Sequence, residues 1–198
     1  MITKLFLGVI SSLIAAVAYF IYFRQIISGK VKPHAISWFI WGILTTIIFA
    51  AQTVKHGGAG AFVTGLTGMA CFIISVVAYH KGKNVIDKMD KIFLLSALAS
   101  LVLWWMTSEP LLSVILITIT DACAFIMVFK KSYLNPFEEG ATLFGLSAIK
   151  FFISIFALES YSIETWLYPV YLIIGNGALA IMILVRRYSL KKIGNKYS

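Results

Sequence analysis

Seven apolar stretches follow one another along this chain, at 5–27, 36–54, 60–79, 91–107, 111–129, 141–158 and 166–185, each ended by a short polar break. A bilayer core about 30 Å thick is crossed by a helix of about 20 apolar residues. Hydrocarbon offers no partner to an open backbone group, so each such stretch must satisfy its own amides as a helix. Composition leaves little room for another solvent. Of the 198 residues 60% are hydrophobic and 13% charged, with a mean hydropathy of +0.92. Soluble domains carry about 45–50% apolar and about 25% charged residues. The expected fold class is an all-α membrane protein with seven transmembrane helices.

The breaks read GKVKPH, KHGG, HKGKNVIDKMDK, TSEP, KKSYLNPFEEG and ESYSIET. TSEP is so short that the fourth and fifth spans must form a tight antiparallel hairpin. The formal charge of +9 is not spread as a nucleic-acid surface would be, and no nucleic-acid partner is expected. It sits on one side of the helices. Arg24, Lys30 and Lys32 lie in or beside the first loop, Lys81, Lys83, Lys88 and Lys91 around the third, and Lys130 and Lys131 at the fifth. Arg186, Arg187, Lys191, Lys192 and Lys196 follow the last span, making 14 in all, against Lys4 and Lys55 on the other side. Cytoplasmic loops carry such an excess, so the N-terminus is expected outside and the C-terminus in the cytoplasm, in the inner membrane. Trp38, Trp104, Trp105 and Trp166 stand near span ends, where interfacial belts form. Lys4 followed by a run reaching Ala16-Val17-Ala18 has features of a signal peptide. The run continues through Tyr19–Phe23, however, and cleavage would place Arg24, Lys30 and Lys32 outside, so a retained first helix is expected.

The chain also resembles itself. FRQIISGKVKPHAISWFIWG matches FKKSYLNPFEEGATLFG, aligning Phe23-Arg24 with Phe129-Lys130, Pro33 with Pro136 and Gly42 with Gly145. Each copy runs on into an apolar helix, a short outer loop and a third helix ending in basic residues. Spans 1–3 then correspond to spans 5–7. The single span between them restores the direction of the second triplet, giving parallel repeats about an axis along the membrane normal. The expected units are 1–80, a linker helix at 81–109, a second unit at 110–187 and a basic tail at 188–198. This three-plus-one-plus-three layout, with a basic proline-containing loop after the first helix of each unit, resembles the SWEET and PQ-loop transporter superfamily. The stretches KPHAISWFIWG, NPFEEGATLFG and SIETWLYPVYLIIGN are similar to bacterial membrane proteins sharing that layout. The namesake Pro-Gln dipeptide is absent, the positions reading Arg24-Gln25 and Lys130-Lys131. The resemblance implies a small-solute transporter, with an asparagine of each unit's third helix lining the pocket. Asn176 matches the second-unit position and Thr67 stands near the first. It implies self-association as well.

Charged side chains at a helix centre cost about 2.5–3.5 kcal/mol on insertion scales and mostly face the protein interior. Asp121 and Lys150 are two such residues, in spans 5 and 6, at depths that would let them meet. They are read either as a substrate-binding or proton-coupling pair, or as an ion pair that locks two helices. Asn176, in Ile174-Gly175-Asn176-Gly177, can donate and accept for a sugar or amino acid, or simply bond a neighbouring helix. Thr45, Thr46, Ser11 and Ser12 are pocket candidates that equally suit carbonyls of their own helices. Gly60, Thr64 and Gly68 form a small-residue face for close packing. Glu138-Glu139 is read as a helix N-terminal cap, and Pro169 as a hinge candidate. His34, His56 and His80 fall in separate loops, and Cys71 and Cys123 inside apolar runs, which gives no metal spacing and no disulfide framework. No catalytic motif is present, so neither an enzyme nor a cofactor is expected. The function expected is alternating-access transport of a sugar, amino acid or related metabolite, with Asn176, Asp121, Lys150, Thr67, Thr45 and Thr46 as substrate-binding residues. The alternative is a non-transporting membrane partner or scaffold. A seven-helix retinal photoreceptor is disfavoured, since its lysine belongs in the last helix, where this chain has Asn176.

Overall fold

A computed structural model describes residues 2–81 and 88–197, with side chains up to Lys192. Lys83 and the side chain of Lys196, both counted in the charge asymmetry, lie outside the described residues. Among the described residues seven α-helices run in order: α1 (Ile2–Ile27), α2 (Ala35–Val54), α3 (Phe62–Lys81), α4 (Lys88–Thr107), α5 (Leu111–Leu134), α6 (Ala141–Phe156) and α7 (Ile163–Tyr197). One 3₁₀ turn, Gly58–Ala61, precedes α3. No strand occurs among the described residues.

Among the described residues six helices are long and apolar enough to cross a membrane; α6, with 16 residues, is the shorter one. At a rise of about 1.5 Å per residue α6 spans about 24 Å. It stops at Phe156 because the chain turns there: Ala157 and Leu158 donate to Ser154 and Ile155 in tight backbone bonds. The outward surface of the bundle suits lipid. Leu13, Phe20, Leu95, Trp105, Ile126 and Ile174 are all more than half exposed. These helices are compatible with a membrane location.

Packing is uneven between the helices. α3 contacts both α1 and α2, and α7 contacts both α5 and α6. α1 also packs broadly against α6, while α4 lies on α5 and α2. Small residues set the tightest approaches. A Cβ on Gly42 would fall 2.7 Å from the Phe72 ring, and one on Gly68 3.0 Å from Thr46 Oγ1. The α4–α5 hairpin forms as the TSEP break requires. Ser108 takes a left-handed φ of 55° to turn the chain, and Ser113 Oγ donates to the Ser100 carbonyl across the two helices.

Two local expectations give way to tertiary packing. Trp38 is not interfacial but 6% exposed, its ring 5.2 Å from Tyr22 and 5.3 Å from Trp41. Glu139 does not cap α6, whose N-cap Gly140 receives no side-chain bond. Instead Glu139 is buried and pairs with Lys131 at 2.7 Å, while Arg187 binds the carbonyls of Glu139 at 2.6 Å and Pro136 at 2.8 Å. A buried carboxylate gains more from a cation than from amide dipoles. Pro169, the hinge candidate, lies inside α7, which runs on into the segment 188–197.

Candidate functional site

Two adjacent hollows lie within the helix bundle. The inner one is small, about 50 Å³, and is lined by Thr67, Asp121, Ser147 and Asn176 among aromatic and aliphatic walls. The larger, about 800 Å³, reaches the first loop, the end of α3, the start of α4 and the end of α5, where Lys32, Lys81, Asp90 and Lys131 line it. Trp38, Trp41 and Phe144 line both. They form the throat, as we term it, where the vestibule on the basic-loop face adjoins the chamber inside the bundle.

Lys150 is completely buried. Its ammonium donates to Tyr19 Oη at 2.9 Å and Thr67 Oγ1 at 2.9 Å, which ties α6 to α1 and α3. The Tyr19 and Phe151 ring centroids lie 4.2 and 4.9 Å from Nζ. Hydroxyl oxygens and π faces thus replace water around this cation. Thr67 can accept because its own hydroxyl hydrogen goes to the Val63 carbonyl at 2.6 Å.

Asp121 is 1% exposed. Tyr168 donates to its Oδ2 at 3.0 Å, whereas Oδ1 is buried without any hydrogen-bond partner. Aromatic rings surround it. Phe125, one turn along α5, has its centroid 6.0 Å from Trp41 and 5.9 Å from Tyr171, and Tyr171 is 5.9 Å from Tyr168. No ion pair joins Asp121 to Lys150 among the described residues. The meeting foreseen from their equal depth does not occur, because depth along two helices leaves their rotation about their own axes undetermined.

The remaining candidates divide. Asn176 lines the chamber, its Nδ2 donating to the Leu172 carbonyl at 2.8 Å. Thr45 lines it too, bonded to the Trp41 carbonyl at 2.6 Å. Thr46 does not belong to the site: it is exposed, bonds the Gly42 carbonyl at 2.7 Å and packs beside Gly68. One residue along a helix is a turn of about 100°, enough to carry the neighbour of Thr45 out of the chamber. Ser11 bonds the Gly8 carbonyl at 2.9 Å, within its own helix. Tyr19, Trp41, Tyr168 and Ser147 are site residues that sequence reasoning missed. A tyrosine or tryptophan in a span is ordinary, and no pattern in the chain marks these ones. Among the described residues no group of three or more His, Cys, Asp or Glu side chains could hold a metal.

The face opposite the vestibule is covered by direct bonds between distant parts of the chain. Gly60 N–H donates to the Ala157 carbonyl at 3.2 Å, and Glu159 N–H to the Gly57 carbonyl at 3.2 Å. Lys4 Nζ reaches the Leu158 carbonyl at 2.7 Å, and Gln52 Nε2 the Thr165 carbonyl at 2.8 Å. Lys55 bridges Glu109 at 2.7 Å and Glu164 at 3.3 Å, and these hydrogen bonds raise its pKa above the ordinary lysine value.

Comparison with protein-family models, with curated proteins and with solved structures gave no match.

Proposed function

We propose that this protein is a small-solute transporter of the inner membrane, working by alternating access between two like-oriented three-helix units, 1–80 and 110–187, joined by α4. The N-terminus is outside, the C-terminus cytoplasmic, and the vestibule opens to the cytoplasm. One observation carries the reading: a buried chamber lined by Asp121, Asn176, Thr45 and Thr67 adjoins a larger vestibule on one face and is covered on the other by direct contacts. A scaffold has no need of such a chamber, since intramembrane charges kept for packing are expected to pair with each other.

Two features support the repeat. The third helix of each triplet packs on both its partners. The register that aligns Gly42 with Gly145 also aligns Trp41 with Phe144, and both line the throat. This pattern suits the SWEET and PQ-loop layout, as does Asn176 in the chamber. The substrate is a sugar, amino acid or related metabolite. Purified protein in liposomes, preloaded with unlabelled solute, should accumulate the same labelled solute by counterflow. Folded protein that exchanges no member of a panel of sugars, amino acids and small metabolites would remove this reading.

A further inference from the structure

Building on the transport reading, we infer that the chamber binds a primary organic ammonium, its charged head on Asp121 and its apolar chain directed through the throat into the vestibule. Among the described residues that line the chamber, Asp121 is the one with a formal charge. It is 1% exposed and pairs with no cation among the described residues. Lys150 is not part of the lining, and its ammonium is held by Tyr19 and Thr67. The chamber is an acidic hollow, and a buried carboxylate without a counter-charge is costly. That sets the sign of the ligand.

The polar groups around it lack donors. Tyr168 satisfies Asp121 Oδ2 at 3.0 Å, whereas Oδ1 has no hydrogen bond. Thr45 gives its hydroxyl hydrogen to the Trp41 carbonyl, which leaves lone pairs on its oxygen. Asn176 gives Nδ2 to the Leu172 carbonyl, which leaves Oδ1 as an acceptor. A primary ammonium brings N–H donors and the missing positive charge together, and its bond to a carboxylate is charge-assisted.

The walls select among cations. Trp41, Phe125, Phe144 and Tyr168 line the chamber, and aromatic faces attract an organic ammonium. A hard metal ion takes about six oxygen ligands, more than Asp121, Asn176 and Thr45 supply. A quaternary ammonium suits the rings but has no N–H for Asp121. An amino acid adds a carboxylate, for which the described lining holds no Lys or Arg. Room points the same way. The chamber, about 50 Å³, admits a head group, and the vestibule of about 800 Å³ beyond the throat admits a chain. The ligand class is a monoamine with an apolar chain, which is an apolar amino acid without its carboxylate.

The test uses the full chain in lipid nanodiscs near neutral pH, where an alkylamine is charged as lysine is, with tryptophan fluorescence reporting on Trp38 and Trp41. Isopentylamine is titrated beside isopentanol, leucine, isopentyltrimethylammonium and sodium chloride, and nanodiscs without protein measure partition into lipid. The amine should saturate the signal. Isopentanol, leucine and the quaternary analogue should bind about 10-fold or more weaker, since a hydrogen bond to a charged group corresponds to roughly a decade in affinity. Asp121→Asn should bring the amine down to the level of the alcohol. The wild-type panel decides even where that variant fails to fold. Equal binding of amine and alcohol, tighter binding of leucine or the quaternary analogue, saturation by sodium alone, or no amine binding overturns the assignment. Glucose counterflow without amine binding would refute the ammonium site and leave transport standing. Saturable amine binding without counterflow would do the reverse.

Discussion

Replacing Gly60 by alanine should unlatch the face opposite the vestibule. A Cβ at this position would lie 2.6 Å from the Ser154 carbonyl oxygen and 2.7 Å from the Leu158 amide nitrogen. Both are backbone atoms at the end of α6 and in the turn after it, so no rotamer change relieves the clash. The 3₁₀ turn before α3 must draw back from α6, which strains the Gly60–Ala157 and Glu159–Gly57 bonds. Overpacking of this kind costs about 1–3 kcal/mol. If that cost falls on the closed state alone, the ratio of open to closed outer face rises roughly 5- to 150-fold. Cys71 provides a native reporter, since it lines the chamber and is 3% exposed. In a Cys123→Ser background, a membrane-impermeant maleimide added outside spheroplasts should label Cys71 faster in Gly60→Ala by a factor in that range. An unchanged labelling rate with a lowered thermal midpoint would show that the glycine relieves crowding in a face that never opens, and the reasoning would fail.

Further expectations concern charge, throat and hairpin. Asp121→Leu and Lys150→Met should each destabilise, yet the double variant should show coupling under about 0.5 kcal/mol in a thermal-melt cycle, as for sites that share no bond; a larger value would reveal an ion pair. The same double variant should abolish counterflow, whereas a scaffold would be indifferent to it. Lys55 contributes to the outer latch while charged. Its folded pKa is raised, so this contribution is complete below the unfolded value near about 10.4 and is lost only as pH climbs through the higher folded one. Cys71 labelling from outside should therefore respond to salt through Lys55, with no loss of its charge between about pH 6 and 9. Trp41→Ala should enlarge the throat and speed Cys71 labelling from the vestibule face of inverted vesicles, and an unaltered rate would remove Trp41 from the barrier. Ser113→Ala should lose about 0.5–1.5 kcal/mol of stability with the bond to Ser100, measured as a fall in thermal midpoint.

The apolar runs and their breaks by themselves determined the helices. Solvation by hydrocarbon acts on each stretch separately, so a run such as 111–129 is legible without knowing its neighbours. The TSEP hairpin was legible on the same ground, as connection length alone forces it. Asp121, Lys150, Asn176, Thr45 and Thr67 could be singled out because polar groups in hydrocarbon are costly wherever they point. What they point at was decided by tertiary structure. Lipid is as apolar as leucine, so a membrane helix carries little amphipathic stripe to reveal its inner face. Thr45 and Thr46 look alike in sequence, and only packing turns one into the chamber and the other out. Lys150 met Tyr19 and Thr67, 131 and 83 residues away in the chain, and Asp121 met Tyr168 instead of Lys150. Those partnerships depend on how helices rotate and tilt against each other, which the order of residues along any single helix does not encode.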